Sequence, residues 1–165
     1  QRLGAAGDHP GRHIPAIELA DENAPVDGIV IDDQDARLRA AEYYRQAFFW
    51  HRDNLDGKEL KTAYRASVDA FRRALPHLQH PGRVVEGEPP GYLFAPQGRG
   101  PCPTILHIGG YDNTAEELYA SVYPALDRGW AVFAIDGPGQ GGVLYDRRVP
   151  QRPDWEHVVP AMFDL

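Results

Sequence analysis

The sequence predicts an α/β protein in which a helical hairpin leads into the first strands of a sheet. Three observations carry this. Residues 33–80 hold two segments with apolar residues at helical spacing. Thr104–Ile108 is a short apolar run that stops at Gly109-Gly-Tyr-Asp112, and Trp130–Ile135 is another that stops at Asp136-Gly-Pro-Gly-Gln-Gly-Gly142. Apolar runs ending abruptly in glycine turns are how buried parallel strands deliver their C-terminal ends to a ligand site. One predicted helix separates them, so the unit reads strand–helix–strand.

Residues 1–32 carry Gly, Pro, His and Asp without a period and read as an irregular arm. From there Leu38, Ala41, Tyr44 or Arg45, and Phe48 recur at helical spacing, with Asp32 or Asp33 placed as an N-cap. Asp53-Asn-Leu-Asp-Gly57 has the chemistry of a turn. A second helix follows, with Leu60, Tyr64, Ser67 or Val68, Phe71, Leu75 and Leu78 on one face and Pro76 and Pro81 ending it. No second copy of this hairpin appears at a fixed period, so a helical repeat is excluded. The aromatic set Tyr43, Tyr44, Phe48, Phe49 and Trp50 covers more than one helix face. Core packing is the expected role for most of it, and the excess predicts that the hairpin packs against something larger.

Arg83–Glu86 and Gly91–Ala95, joined by Gly87-Glu-Pro-Pro90, predict a strand pair. Thr104–Ile108 is the next strand, with His107 inside it. Thr114-Ala-Glu-Glu117 is a capping box for a helix running through Leu118, Val122 and Leu126 to a C-terminal cap at Gly129, with Pro124 as a kink. After the strand at Trp130–Ile135 and its glycine turn, an irregular stretch is expected up to Arg152. Pro153-Asp-Trp-Glu156 then starts another helix.

Composition narrows the function. The 165 residues carry a net charge of −7, and the basic residues are dispersed, so nucleic acid is not an expected partner. Cys102 is the sole cysteine, which rules out an intrachain disulfide and a cysteine-based metal site. No metal and no cofactor are expected. No apolar run reaches the roughly 18 residues of a membrane helix, and no signal peptide is visible, so a cytoplasmic protein without membrane contact is expected. The first residue is Gln rather than Met, consistent with a trimmed start.

Gly137-Pro-Gly-Gln-Gly-Gly142 formally satisfies the dinucleotide fingerprint. That fingerprint needs a helix to begin within the loop, and Val143–Pro150 shows no helical period. A phosphate-cradling loop fails outright for want of its lysine. Gly109-Gly-Tyr-Asp112 suits acyl chemistry better: a tetrahedral oxyanion needs backbone N–H donors fixed in advance. The N–H of Gly110 or of Tyr111 is the candidate donor. The competing role is a plain strand-to-helix turn in which Asp112 or Asn113 caps the helix.

Tyr43-Tyr44…Phe48-Phe49, Ala70-Phe-Arg-Arg-Ala-Leu75, Gly109-Gly-Tyr-Asp112, Glu116-Glu-Leu118, Asp136-Gly-Pro-Gly-Gln-Gly141 and Arg152-Pro-Asp-Trp155 occur in one order. Together, over residues 36–160, they resemble the α/β-hydrolases of the dihydroxypseudooxynicotine hydrolase and fermentation–respiration switch type, a group that includes fungal polyketide chain-shortening hydrolases. The resemblance implies a helical lid (33–80) followed by the first strands of an incomplete α/β-hydrolase sheet (81–165). It implies a Ser–Asp–His hydrolase that cleaves C–C, ester or acyl bonds beside a carbonyl in a small aromatic or polyketide-like substrate. Gly110 and Tyr111 would be its backbone oxyanion donors; Asp112, Tyr44, Phe48 and Trp50 would contact substrate.

The serine elbow expected of that family is missing. Ser67 and Ser121 are the only serines and neither is flanked by the glycines of such an elbow; His107 and His157 are read as structural or exposed. The chain alone is therefore expected to be inactive, with its last strand an open sheet edge. A companion polypeptide carrying the nucleophile, acid and histidine is the implied partner, and a homodimer is a further expectation. The reading from another class is a non-catalytic binding or assembly subunit on the same scaffold, and a dinucleotide-binding oxidoreductase ranks third.

Overall fold

A computed structural model describes residues 33–98 and 100–162. The expected N-terminal arm, 1–32, lies outside the described residues. Helix α1 spans Asp33–Phe49 and α2 spans Lys58–Ala74, as the apolar spacing predicted. The turn between them is closed by Gly57 N–H donating to Asn54 O (3.0 Å) and Asp56 N–H donating to Asn54 Oδ1 (3.2 Å), the self-capping that makes Asn a turn former. The helices run antiparallel: Phe48 packs on Tyr64, Ser67 Oγ donates to Ala41 O (2.8 Å), and Arg37 reaches Arg73 O (3.0 Å). α2 buries Leu60, Ala63, Tyr64, Ser67, Phe71 and Ala74, and ends in a 3-10 turn, Leu75–His77, containing Pro76.

The four strands are β1 (Gly82–Val85), β2 (Gly91–Phe94), β3 (Thr104–Ile108) and β4 (Ala131–Ile135), in the order β1-β2-β4-β3. β1/β2 and β2/β4 pair antiparallel; β3/β4 pair parallel, with His107 opposite Ala134 and Ile108 opposite Ile135. The expectation that the last strand forms the open edge is corrected. β4 is interior and its five residues are all buried, whereas β3 is the edge and is half exposed. The cause is compositional: Ala131-Val-Phe-Ala-Ile135 is apolar on both faces, while β3 carries a polar residue on each face, Thr104 on one and His107 on the other.

Each face of the sheet has its own cover. Tyr92, Phe94, Val132 and Ala134 meet Phe71, Ala74, Leu75 and Leu78 of the hairpin end and Leu118, Tyr119, Val122 and Leu126 of the crossover. Phe133 and Ile135 on the other face meet Trp155, Val158 and Val159. Burial of each such aliphatic or aromatic side chain contributes about 1.5–3 kcal/mol, so the hairpin is seated firmly on the sheet.

Three segments come out differently from expectation. The crossover helix is split into a 3-10 segment, Glu117–Ser121, and α3, Tyr123–Asp127. Pro124, in the first turn of α3, lacks the N–H that a continuous helix would need there. Its end is as expected: Gly129 (φ 82°) donates to Leu126 O and Trp130 to Ala125 O, the paired bonds of a left-handed glycine cap. The stretch expected to be irregular after the glycine turn contains a one-turn helix, α4, Gly141–Tyr145. The helix expected from Pro153 is two 3-10 turns, Trp155–His157 and Val159–Met162. No helix among the described residues is long and apolar enough to cross a membrane.

Candidate functional site

The loop leaving β3 is held bond by bond. Gly110 N–H donates to Asn113 Oδ1 (2.9 Å), and Asn113 N–H returns to Gly110 O (3.3 Å). Asn113 Nδ2 donates in turn to Glu117 Oε2 (2.6 Å), so this side chain ties the loop to the following 3-10 turn. A second clamp comes from the loop after β4. Gln140 Nε2 donates to both Gly109 O (2.7 Å) and Gly110 O (2.8 Å), while Gln140 Oε1 accepts the Gly137 N–H (2.9 Å). Gln140 is buried, and all three of its bonds are to backbone. In a trans peptide the C=O and the following N–H point opposite ways. With the Gly110 carbonyl fixed on Gln140, the Tyr111 N–H is directed away from it and pairs with no described residue.

Asp136 closes the layer beneath. Its Oδ1 accepts the Ala115 N–H (2.7 Å) and its Oδ2 the Gly142 N–H (3.2 Å), so it joins the start of the crossover to the start of α4. Burial pushes its carboxyl well above the usual carboxylate range, aided by Glu116 and opposed by the two N–H donors. Gly141 sits at φ 36°, and a Cβ there would lie 1.9 Å from Asp136 Oδ2. In the sequence, the lack of a helical period after the glycine turn disfavours a dinucleotide site. A helix does start in the loop, but Asp136 already takes the Gly142 N–H in its first turn, and a buried acid at that point disfavours a pyrophosphate.

This arrangement has counterparts in known proteins. No family model matches the sequence. The chain is 40% identical over 139 residues to hydrolase LUC6 of a Fusarium species, covering 77% of this chain and 33% of the relative. It is 35% identical over 166 residues to the alpha/beta hydrolase psoB of Aspergillus fumigatus, covering 89% and 36%. The crystal structure of 2,6-dihydroxy-pseudo-oxynicotine hydrolase superposes with a TM-score of 0.56 at 25% identity, over 86% of this chain and 47% of that one. The chain belongs to the α/β-hydrolases. It spans about a third of the length of the curated relatives it matches.

Within this α/β-hydrolase chain the residues singled out from sequence separate into two groups. Asp112 faces the hairpin: its Oδ2 lies 4.0 Å from Arg52 Nη1. Arg52 itself stacks 3.6 Å above the Phe49 ring, and Phe49 meets Trp50 edge-on at 6.0 Å. The loop carrying Gly110, Tyr111 and Asp112 is thereby linked through Arg52 to the aromatic end of α1, where Trp50 is 78% exposed and Tyr111 is 74% exposed. Phe48 is elsewhere. It is 1% exposed and packs edge-on against Tyr64 (5.5 Å) and Tyr145 (5.6 Å), so it forms core rather than pocket lining. Tyr44 is half-buried on α1 and Tyr43 is exposed. The expectation that most of this aromatic set is core is corrected: Phe48 alone is buried, Tyr44 and Phe49 are half-buried, and Tyr43 and Trp50 are exposed.

Two clefts of about 220 and 190 Å³ flank α2, one lined by Tyr64, Arg72, Tyr92 and Asp136, the other by Arg45, Phe71, Glu116 and Glu117. None of the six sequence-nominated site residues lines either. Both serines are occupied: Ser67 Oγ donates to Ala41 O, and Ser121 Oγ donates to Leu118 O (2.7 Å). His107 Nε2 lies 2.8 Å from Ser121 Oγ, which resembles a catalytic pair. With the hydroxyl proton on Leu118 O, the imidazole is the donor and has no role as a base. His157 is exposed on its 3-10 turn. Among the described residues no group of three His, Cys, Asp or Glu is placed to hold a metal ion.

Gln140 and Asn113 are the residues that sequence reasoning undervalued. The bonds that orient the loop come from these two amides rather than from Asp112. A buried-polar signal was present for Gln140: a long amide set among glycines has few reasons to be there unless it reaches a neighbouring backbone.

Proposed function

We propose that this chain supplies the oxyanion-stabilising loop and the helical lid of a serine hydrolase of the α/β type. The single observation in its favour is the Tyr111 N–H, left without a partner among the described residues in a loop whose Gly109 and Gly110 carbonyls are tied to Gln140 and whose Gly110 N–H is tied to Asn113. Attack on a carbonyl puts negative charge on its oxygen, and a donor fixed beforehand lowers the barrier because nothing has to reorganise. Tyr111 is that donor. Gly110 serves only if its bond to Asn113 is released. The second donor comes from the residue following a nucleophile carried outside these residues, as do the acid and histidine.

The substrate is a small aromatic or polyketide-like carbonyl compound cleaved at a C–C, ester or other acyl bond. Support comes from the exposed aromatic rings of Trp50 and Tyr111 and from Asp112, which would orient polar substituents beside Arg52. Tyr44 lines the lid side, residues 33–80. The partner is a companion polypeptide bearing the elbow, in a cytoplasmic assembly that pairs as a homodimer.

The test is complementation. The chain is co-expressed with a polypeptide carrying G-x-S-x-G followed by Asp and His, and hydrolysis of a p-nitrophenyl ester and of an aryl β-diketone is followed. Each piece alone is expected to be inactive and the pair active. A pair that associates but hydrolyses neither compound overturns the proposal and leaves the binding or assembly subunit as the reading.

A further inference from the structure

We infer that Gln140 is the positioning residue that aims the Tyr111 N–H, acting through the peptide units of Gly109 and Gly110. This rests on the oxyanion reading above and adds the group that enforces it. Three facts converge. Both amide protons of Gln140 are used, one on each of two successive carbonyls, at 2.7 and 2.8 Å. Its oxygen is held by the Gly137 N–H at 2.9 Å, so the side chain cannot turn over without losing all three bonds. It is 6% exposed, where such losses are not made good by water.

Asn113 cannot replace it. Asn113 belongs to the same short loop and moves with it, whereas Gln140 is anchored after β4, the buried central strand. The clamp therefore registers the loop against the sheet. Glycines at 109 and 110 leave the backbone free to rotate, so a peptide flip there is opposed chiefly by the two bonds to Gln140. When the Gly110 carbonyl leaves Gln140, the Tyr111 N–H turns with it, because both belong to one planar unit.

The decisive variant is Gln140→Glu. It keeps the shape and the acceptor toward Gly137 but presents a carboxylate oxygen where two carbonyls need a donor, which favours the flipped peptide. Gln140→Met removes the donors without adding charge. In the assembled enzyme both variants are expected to lower kcat by about 30- to 300-fold while KM stays within about threefold, the signature of an interaction made in the transition state. Affinity for a boronate transition-state analogue should fall in the same proportion, with the thermal midpoint of Gln140→Met close to the parent.

Unchanged kcat in both variants overturns the inference, and so does a shared loss of stability and KM with the boronate affinity retained. Tyr111→Pro separates the two levels: if it abolishes turnover while the Gln140 variants do not, the oxyanion reading stands and this inference fails. If the parent assembly has no hydrolase activity, the oxyanion reading fails. The inference is then judged on the amide signals of Gly110 and Tyr111 in the chain itself. Those signals must shift in Gln140→Glu, and unmoved signals overturn it.

Discussion

Replacing Phe48 by alanine tests whether the hairpin is a structural part of the sheet assembly or a loosely placed cover. Phe48 is 1% exposed and touches Tyr64 on α2 and Tyr145 on α4, which themselves stand 5.0 Å apart. Truncating a buried phenylalanine costs about 3–5 kcal/mol through lost transfer energy and the cavity left behind. Two edge-on ring contacts, each about 0.5–1.5 kcal/mol beyond area burial, place this site in the upper half of that range. For a chain of this size that corresponds to a fall in Tm of roughly 10–15 °C. Phe48→Leu, which retains most of the volume, should lose less than about 1.5 kcal/mol. Equilibrium urea unfolding followed by circular dichroism reads both. A loss below about 1 kcal/mol for Phe48→Ala would refute the packing argument, and a raised KM with stability intact would return Phe48 to the substrate pocket.

Three further outcomes follow from the geometry. Gly137→Ala places a Cβ 2.3 Å from Trp155 Cη2, so the indole must leave the sheet face; red-shifted tryptophan emission and a loss of about 1–3 kcal/mol are expected, and an unchanged spectrum would contradict it. Burial holds the His107 imidazole below its ordinary value of 6.5, so the unfolded chain binds the proton more readily than the folded one. The stability from His107 is present above 6.5 and is lost as pH falls through the folded value; His107→Gln should flatten the urea midpoint between pH 7 and pH 5. Tyr111→Pro, which removes the N–H, should lower kcat of the assembled enzyme by about 100- to 1,000-fold, whereas Tyr111→Phe should change it by less than about threefold.

The hairpin was legible because α2 repeats its apolar residues every three or four positions from Leu60 to Ala74, and period is the strongest local signal. The strands were legible for the same reason, and their glycine turns marked where the sheet ends. Strand order was harder. β4 lies between β2 and β3, a non-local fact whose only local trace is that Ala131–Ile135 holds no polar residue while β3 holds Thr104 and His107. The crossover was predicted as one helix because the spacing of Leu118, Val122 and Leu126 is regular, yet Pro124 divides it. α4 leaves no trace in the pattern because five residues are too few to show a period, and its start is secured by the side chain of Asp136, a contact that no spacing rule announces.

The candidate site shows the same split. Gly109 and Gly110 announce a close backbone approach, so the loop itself could be found. The groups that hold it could not, because the Gln140 bonds span 30 and 31 residues and leave no periodic trace. Phe48 was nominated for substrate contact on aromatic content alone; only the packing of Tyr64 and Tyr145 around it shows that its ring is already enclosed.

The most direct test of the account is the Tyr111 backbone amide, observed by ¹H–¹⁵N correlation in the assembled enzyme before and after a phosphonate is attached to the nucleophilic serine. The account predicts that the Tyr111 proton moves strongly downfield as it takes up a charged oxygen, while Gly110, still bonded to Asn113, moves little. A Tyr111 signal that stays in place while amides elsewhere respond would contradict it.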